Sequence, residues 1–230
     1  MKTGEIIAMT EKYVMNTYSR IPIAPVKGVG VRLTDAAGNE YLDFVAGIAV
    51  NSTGHCHPKV VEAICRQAAD LLHVSNLYHV PAQAELAQVL AENSGFDKVF
   101  FCNSGAEANE AAIKLARRYF CVTSRTDANE IITALGSFHG RPIGALTATG
   151  QAKYQEGFEP LVPGFTYVPF NDFEALEAVV TGKTCAIMLE LIQGEGGVYP
   201  VDPEYLAGVS RLCKEFGLLL IIDEVQTGIG

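Results

Sequence analysis

Several features that would assign this chain to a class of protein are missing from its 230 residues. No apolar run approaches the roughly 20 residues needed to cross a bilayer. Residues 1–10 have neither the basic start nor the apolar centre of a secretion signal. Basic residues are outnumbered, 17 Lys and Arg against 26 Asp and Glu, and the formal net charge of −9 disfavours nucleic acid as a partner. These absences favour a cytoplasmic protein that binds neither membrane nor nucleic acid.

The six cysteines form no C-x-x-C pair. Their scattered positions, at 56, 65, 102, 121, 185 and 213, are typical of reduced cysteines in an intracellular protein. His55, Cys56 and His57 lie together, but alternate residues of a short loop rarely converge on one ion. No distant Cys or His pair has matching spacing. We therefore predict no metal site.

The chain also lacks the G-x-x-x-x-G-K-[ST] sequence of a nucleotide-binding phosphate loop. A different phosphate-binding feature is present after the strand predicted at 98–102. Ser104, Gly105 and Ala106 open an alanine-rich helix predicted to run to Tyr119. Small side chains leave the first backbone N–H groups accessible, and the helix dipole adds about half a positive charge there. We predict that a phosphate binds at this helix start.

A long apolar run near the end of the sequence finishes in an acid. Leu218 to Ile222 predicts a strand buried on both faces, and Asp223 follows it. The carboxyl ends of parallel strands border the ligand sites of α/β proteins. Asp223 could hold a metal ion there or pair with a cationic atom. The alternative is that Asp223 caps the turn that follows it.

Predicted strands and helices alternate along most of the chain. Strands are expected at 98–102, 130–135, 166–170, 184–189 and 218–222, and helices at 106–119, 173–180 and 203–216. This alternation predicts an α/β fold with a mostly parallel sheet and helices on both faces. Before it we expect a hairpin within 29–44 and helices at about 60–72 and 82–93.

Six stretches of the sequence resemble the class III aminotransferases, which use pyridoxal 5′-phosphate. They are NSGAEANE (103–110), DEVQTG (223–228), GHCHP (54–58), SNLY (75–78), SFHGR (137–141) and ELIQGEGG (190–197). They occur in family order, and the resemblance covers essentially the whole chain. Within the class, the sequence is most similar to the acetylornithine aminotransferases.

The resemblance implies a cofactor-binding role for residues at the predicted sheet edge. Asp223 would pair with the protonated ring nitrogen of the cofactor and raise the pKa of that nitrogen. Phe138 would stack on one face of the ring and Val225 on the other, while Gln226 would reach the ring hydroxyl. The complete implied set is Ser104, Gly105, Ala106, Phe138, His139, Glu190, Asp223, Val225 and Gln226.

Substrate contacts are implied in the same way. Arg141 resembles the carboxylate-binding arginine of the family, whose planar fork suits an amino acid. Tyr18 matches a further substrate contact. Glu195 matches the glutamate that in relatives pairs with a later arginine when no second carboxylate occupies the pocket. Without the resemblance, Arg141 would be interpreted as a surface residue and Phe138 as core packing.

The resemblance also implies the pyridoxal phosphate fold type I. Residues 1–50 would be the N-terminal segment of the small domain, and 51–230 an incomplete cofactor-binding large domain, with a homodimer for the full-length parent. The Schiff-base lysine of the family follows the 223–228 stretch, whereas all nine lysines here precede it. Because that lysine carries the cofactor and moves the proton, we expect residues 1–230 alone to be close to inactive.

The implied substrates are an amino acid and a 2-oxo acid. The reaction is transfer of an amino group between N-acetylornithine and 2-oxoglutarate in arginine biosynthesis. Ornithine, succinylornithine and 4-aminobutyrate aminotransferases share every stretch quoted and remain alternatives. An alternative from a different class is a non-catalytic protein that only binds the cofactor or another subunit.

Overall fold

The computed structural model describes residues 1–123, 125 and 127–229. The described chain divides into two compact units, Met1–Asp97 and Lys98–Ile229. The division expected between residues 50 and 51 concerns the domains of the longer parent, and it stays a prediction.

The N-terminal unit combines helices with a small antiparallel sheet of strand order β1-β2-β3. Its elements are α1 (Thr3–Tyr13), β1 (Pro25–Val29), β2 (Arg32–Asp35), β3 (Glu40–Leu42), α2 (Ala46–Ala49), α3 (Pro58–Asp70) and α4 (Pro81–Asn93). Positive φ angles at all four residues make α2 a left-handed turn. Strands β2 and β3 confirm the predicted hairpin, and α3 and α4 confirm the two predicted helices.

The turn of the hairpin is closed by the side chain of Asp35. Its Oδ1 accepts hydrogen bonds from the backbone N–H groups of Ala37 and Asn39 at 2.9 and 2.8 Å. Its Oδ2 accepts from the Asn39 amide and the Tyr41 hydroxyl, both at 2.9 Å. The Asn39 amide bond is the largest of the effects that lower the pKa of Asp35 to about 2. The aspartate therefore fixes this turn as an ionised group.

The C-terminal unit is built on a four-stranded sheet of order β5-β4-β6-β9, in which each neighbouring pair is parallel. Its elements are α5 (Gly105–Cys121), β4 (Glu130–Ala134), α6 (Ile143–Ala148), α7 (Ala152–Gln155), β5 (Phe165–Val168), α8 (Phe173–Ala178), β6 (Thr184–Glu190), β7 (Ile192–Gln193), β8 (Tyr199–Pro200), α9 (Pro203–Phe216) and β9 (Leu219–Asp223). The predicted parallel α/β arrangement is confirmed.

Both faces of this sheet are covered, because alternate residues of the central strands pack in opposite directions. On one face Ile187 and Leu189 join a buried cluster with Leu176 of α8 and Val209 of α9. On the other face Met188 belongs to a second cluster that includes residues of α5. All seven residues of β6 are consequently buried.

One predicted strand is not found. Residues 98–102 take part in none of the strand pairings among the described residues, and the Phe100 side chain is 73% exposed. An extended segment becomes a strand only through a hydrogen-bonded neighbour, which a local apolar run does not supply. The helix predicted after it is confirmed as α5.

Gly150 lies so close to the end of β4 that it provides a test of the packing. A Cβ there would overlap the Ala134 carbonyl oxygen and lie 2.9 Å from Leu135 Cα. Because both contacts are with backbone, we expect Gly150→Ala to lower the free energy of unfolding by about 1–3 kcal/mol. Chemical denaturation measures the change. Gly182→Ala is the control, since a Cβ there meets nothing within 4 Å; equal stabilities of the two variants would contradict the expected clash.

Candidate functional site

Two carboxylates lie side by side at the carboxyl ends of β6 and β9. Glu190 is the last residue of β6 and Asp223 the last of β9, and the two are register partners in the parallel pair. Both are buried, with 6% and 8% of their surface exposed. Burying a carboxylate is costly unless it has hydrogen-bond partners or an opposite charge. This edge is also where open α/β sheets bind ligands.

Asp223 is held by three partners. Its Oδ2 lies 2.8 Å from His139 Nδ1 and accepts a hydrogen bond from Asn109 Nδ2 at 2.7 Å. Its Oδ1 accepts from the Val225 backbone N–H at 2.9 Å. The contact with Val225 is the turn contact considered as an alternative in the sequence. It coexists with the two buried contacts, because they use the other oxygen.

The pKa of Asp223 lies below its ordinary value although the residue is buried. Burial by itself raises that pKa, but the hydrogen bond and charge of His139, with the donors on Val225 and Asn109, outweigh burial. Asp223 is therefore a carboxylate at neutral pH. It can stabilise a positive charge placed beside it.

His139 lies behind Asp223, with none of its side chain exposed. Since an ionised carboxylate only accepts hydrogen bonds, the proton on Nδ1 belongs to the bond with Asp223. The other ring nitrogen, Nε2, lies 3.3 Å from the Thr133 hydroxyl oxygen, and that hydroxyl is 2.9 Å from the Ala148 carbonyl oxygen. The imidazole is thus fixed on both sides and orients Asp223.

Helix α5 begins beside the segment that follows β9. The N-cap hydroxyl of Ser104 accepts from the Glu107 backbone N–H at 3.2 Å. The first N–H groups of a helix lack intrahelical acceptors, and those of Gly105 and Ala106 find none among the described residues. A Cβ on Gly105 would overlap Cγ1 of Val225 and lie 2.7 Å from its Cγ2. Only glycine leaves space at this point.

Helix α5 connects the carboxylate of Asp223 with the open N–H groups. Asn109, which bonds Asp223, lies four residues after Gly105 on α5. Four residues correspond to about 6 Å along a helix, slightly more than one turn. A ligand with a phosphate at one end and a cationic ring nitrogen at the other fits this donor set, because the open N–H groups suit the anion and the carboxylate suits the cation.

The geometry agrees with comparisons to known proteins. The family model for class-III aminotransferases matches residues 13–230. The chain belongs to the class-III aminotransferases. Enzymes of this family depend on pyridoxal 5′-phosphate, and the described donor set fits that cofactor.

Individual relatives give the extent of the match. Acetylornithine aminotransferase from Caldanaerobacter subterraneus subsp. tengcongensis is 60% identical, over 98% of this chain and 57% of the relative. That of Methanocaldococcus jannaschii is 53% identical, over 97% and 56%. A solved ornithine aminotransferase from Toxoplasma gondii, with partial occupancy of the cofactor at its active site, is 36% identical with a TM-score of 0.94, over 99% and 54%. The chain spans about half the length of the curated relatives it matches.

Three of the predicted cofactor residues of this class-III aminotransferase chain, Phe138, Val225 and Gln226, lie on segments that border Glu190, Asp223 and the start of α5. The Phe138 backbone N–H donates to Glu190 Oε1 at 2.9 Å, and its ring meets that of Tyr154 edge to face, with centroids 5.2 Å apart. Val225 lies over Gly105, as described. Gln226 lies against Gly194, where a Cβ would overlap the Gln226 side-chain oxygen.

The predicted substrate residues are more exposed. Arg141 follows Gly140, where a Cβ would lie 2.8 Å from the Ala106 Cβ, so this loop passes the start of α5. The Glu195 carboxylate accepts from the Tyr154 hydroxyl at 3.3 Å. Tyr18 belongs to the N-terminal unit and is 54% exposed. Its assignment as a substrate contact stays a prediction.

Asn109 is the site residue that the sequence reasoning did not assign. Its Nδ2 donates to both the His139 carbonyl oxygen and Asp223 Oδ2, each at 2.7 Å. The side chain is buried on the inner face of α5, and buried amides require partners. The sequence signal that could have identified Asn109 was a polar residue on the face of the predicted helix that otherwise carries apolar residues.

Metal binding finds no support in the described residues, where no group of three or more His, Cys, Asp or Glu side chains could hold an ion. His55, from the histidine-rich loop, lies instead 2.7 Å from Asp43, measured from Nε2 to Oδ2. Within the same described ranges, no helix has the length and apolar content to span a bilayer.

Glu190 offers a test of the electrostatics of the site. Burial is the largest effect on its pKa and raises it above the ordinary value. The folded state then binds the proton more tightly than the unfolded state, so the free energy of unfolding falls as the pH rises from the ordinary pKa of Glu190 through its raised pKa. Glutamine keeps an oxygen that can accept the Phe138 N–H without the charge. We expect Glu190→Gln to raise the Tm of the cofactor-free protein by about 2–4 °C at pH 8.

The expected gain should shrink as the pH falls toward the ordinary pKa of 4.5, because Glu190 then takes up a proton in the unfolded protein as well as in the folded one. Thermal unfolding measured from pH 4.5 to 8 shows the trend. The exposed Glu177 of α8 supplies the matched control, Glu177→Gln. A pH-independent gain, or a loss of stability at pH 8, would contradict the role given to burial.

Proposed function

We propose that this chain is the cofactor-binding part of an aminotransferase that moves an amino group between N-acetylornithine and 2-oxoglutarate. One observation carries the proposal. The buried carboxylate of Asp223 bonds Asn109, which lies about one helical turn after the open N–H groups at the start of α5, and a pyridoxal phosphate needs those two partners at its two ends. The identities of 60% and 53% to acetylornithine aminotransferases support the amino donor.

Some residues of the C-terminal unit would contact the cofactor, and others would hold those contact residues in position. Asp223 would pair with the ring nitrogen, and the N–H groups of Gly105 and Ala106, with Ser104, would bind the phosphate. Asn109 and His139 would fix the Asp223 carboxylate. As the resemblance implies, Phe138 and Val225 would contact the two faces of the ring, and Gln226 would reach the ring hydroxyl.

The chemistry supplied by bound pyridoxal phosphate is the withdrawal of electrons from a carbanion into the ring, which works best while the ring nitrogen is protonated. The protein would contribute by keeping the ring nitrogen protonated. Asp223 does so by charge, since its own pKa is lowered by His139. Glu190 fixes the backbone of Phe138 and so the position of the aromatic ring.

Substrate binding would depend on the exposed residues of the pocket. Arg141 would bind the substrate carboxylate through two parallel hydrogen bonds. The resemblance separately implies a substrate contact for Tyr18. Glu195 would respond to whether the substrate has a second carboxylate, which N-acetylornithine lacks and 2-oxoglutarate has. We further propose a homodimer, a cytoplasmic location and a place in arginine biosynthesis.

Ornithine aminotransferase is the second candidate. The solved Toxoplasma gondii ornithine aminotransferase shares the fold of this chain with a TM-score of 0.94. Its sequence identity of 36% is lower than the 60% of the acetylornithine aminotransferase from Caldanaerobacter subterraneus subsp. tengcongensis. Since the resemblance implies the same cofactor contacts for both enzymes, we expect the residues that bind the amino donor to discriminate between N-acetylornithine and ornithine.

Steady-state kinetics with the purified protein encoded by the gene tests the proposal. Pyridoxal phosphate and 2-oxoglutarate are supplied, and the amino donor is N-acetylornithine, ornithine, succinylornithine or 4-aminobutyrate. We expect the highest kcat/KM with N-acetylornithine. A higher value with another donor would replace the proposed substrate, and a protein that binds cofactor but transfers no amino group would favour the non-catalytic alternative.

Residues 1–230 produced alone should transfer no amino group, as expected from the absence of a lysine in the family context. Borohydride reduction in the presence of pyridoxal phosphate, followed by peptide mapping, measures covalent attachment. A trapped adduct on a lysine of this segment at the described site would contradict the expectation.

A further inference from the structure

Two consecutive residues of α5 bind the segment that carries Arg141, one on each side of it. Asn109 Nδ2 donates to the His139 carbonyl oxygen at 2.7 Å. Glu110 Oε1 accepts a hydrogen bond from the Ala145 backbone N–H at 2.8 Å. His139 precedes Arg141 by two residues, and Ala145 follows it by four. The backbone at Arg141 is therefore connected on both sides to α5, the helix whose start is proposed to bind the cofactor phosphate.

The bond from Ala145 to Glu110 supplies a cap that the start of α6 otherwise lacks. The first N–H groups of a helix have no intrahelical acceptor, and Ala145 carries one of them. The N-cap residue of α6 is Pro142, whose side chain accepts no hydrogen bond. The half-buried Glu110 carboxylate comes from a different helix and takes this place. Glu110 thus fixes the first turn of α6, and with it the end of the segment that carries Arg141.

The Glu110 carboxylate lies so close to α6 that only glycine leaves room for it at position 144. A Cβ on Gly144 would lie 2.7 Å from Glu110 Oε1 and 2.8 Å from Oε2. The other end of α6 is fixed as well, because its C-cap residue Thr149 accepts through Oγ1 from the His139 backbone N–H at 2.9 Å. Arg141 therefore lies in a short connection with fixed ends, and the backbone from which its side chain extends has a defined position.

We propose that Glu110 is a positioning residue for substrate binding, which holds the backbone of Arg141 in place through the first turn of α6. The inference rests on the proposed function, in which Arg141 binds the substrate carboxylate. A guanidinium forms two parallel hydrogen bonds with a carboxylate only in a narrow range of orientations, so the arginine must stay in place relative to the bound cofactor. Asn109 also bonds Asp223. Residues 109 and 110 thereby align the substrate contact with the cofactor contacts.

Glu110→Ala removes the acceptor of the Ala145 N–H. We expect the KM values for N-acetylornithine and 2-oxoglutarate to rise about 10- to 100-fold, the range for one lost hydrogen bond between charged groups at Arg141. The kcat should change less than about threefold, since ground state and transition state share this contact. Glu110→Gln keeps an accepting oxygen and should keep both KM values within about threefold.

Cofactor binding separates this role from a general loss of structure. No contact proposed for pyridoxal phosphate involves the Glu110 side chain, so its dissociation constant should stay within about twofold in both variants. Glu177→Ala, which changes an exposed glutamate of α8, is the control and should match the wild type in every constant. A Glu110→Ala protein with wild-type KM values, or a Glu110→Gln protein as impaired as Glu110→Ala, would contradict the inference.

Gly144→Ala breaks the same contact from the side of α6. The three atoms nearest to the new Cβ all belong to the Glu110 carboxylate. Because that group ends a flexible side chain, it can turn away, and the Tm should change by less than about 3 °C. We expect the KM for 2-oxoglutarate to rise in the wild-type background. In the Glu110→Ala background there is no carboxylate to displace, so Gly144→Ala should have no further effect. An equal rise in both backgrounds, or none in the wild type, overturns the inference.

A double-mutant cycle with Arg141→Ala tests whether Glu110 acts through the arginine. Arg141→Ala alone should raise both KM values at least as much as Glu110→Ala, which should add nothing in that background. Additive effects overturn the inference. Wild-type KM values for Arg141→Ala also overturn it, together with the role proposed for Arg141. Calorimetric titration of the protein loaded with pyridoxal phosphate, with 2-oxoglutarate as the ligand, gives the same cycle without turnover. A wild-type protein that transfers no amino group would refute the proposed function, while this binding cycle would still decide the role of Glu110.

Discussion

Asp223→Asn should reduce kcat/KM by roughly 100- to 4,000-fold. The variant keeps the size of the side chain and removes the charge proposed to hold the proton on the cofactor's ring nitrogen. Breaking a buried charge pair costs about 3–5 kcal/mol, and each 1.4 kcal/mol corresponds to about a tenfold change in rate. Steady-state kinetics with N-acetylornithine and 2-oxoglutarate measure the loss, and the absorption spectrum of the bound cofactor, followed against pH, reports the protonation of the ring.

The matched control for this prediction is Asp172→Asn. Asp172 is the exposed N-cap of α8, and its carboxylate accepts from the Ala175 backbone N–H at 2.9 Å. Asparagine is about as good an N-cap as aspartate, so this variant should keep its kcat/KM within about twofold. If Asp223→Asn and the control had equal kcat/KM values, Asp223 would have no part in the proposed reaction.

Gly105→Ala is expected to weaken cofactor binding by about 10- to 100-fold. The added Cβ would overlap Cγ1 of Val225 and lie 2.7 Å from Cγ2, so either Val225 or the helix start must move. Val225 is proposed to contact the cofactor ring, and the Gly105 N–H to contact the phosphate. Two contacts are therefore disturbed together, each worth about 1.4 kcal/mol or less, which gives the stated range. Titration of the cofactor-free protein with pyridoxal phosphate measures the dissociation constant.

A compensating change makes this prediction specific. Val225→Ala removes both methyl groups that the new Cβ would meet, so Gly105→Ala combined with Val225→Ala should bind cofactor more tightly than Gly105→Ala alone. Gly182→Ala, with open space around its Cβ, should bind like the wild type. Failure of the second change to restore any affinity would show that Val225 is not the residue that the Cβ displaces.

The elements predicted best from the sequence are those that depend on local patterns of residues. Helix α9 was expected over residues 203–216 and found there, because Asp202, Pro203 and the following apolar spacing define its start and face. The four strands of the parallel sheet were located within a residue or two for a similar reason, whereas the two-residue strands β7 and β8 were not predicted. A buried β6 needs an unbroken apolar run, and the run is visible without any knowledge of its neighbours.

Residues 98–102 failed as a predicted strand because a strand is not a local property. Their apolar run resembles that of β9, yet β9 has β6 beside it and the earlier segment has no partner strand among the described residues. The candidate site likewise has features that depend on local sequence and features that depend on contacts between distant residues. Residue types at 104–106 and 223–226 indicated a phosphate and a ring nitrogen, but not the donors that support them.

The sequence by itself determined the α/β class, the family motifs and the chemical character of Asp223 and the helix start. It did so because each depends on neighbouring residues and their periodicity. Only the tertiary structure decided that Asn109 donates to Asp223 across 114 residues of chain, or that Tyr154 bonds Glu195. Such contacts depend on how the sheet edge and the loops pack against each other, and the pairing of two distant polar atoms leaves no pattern in either local sequence.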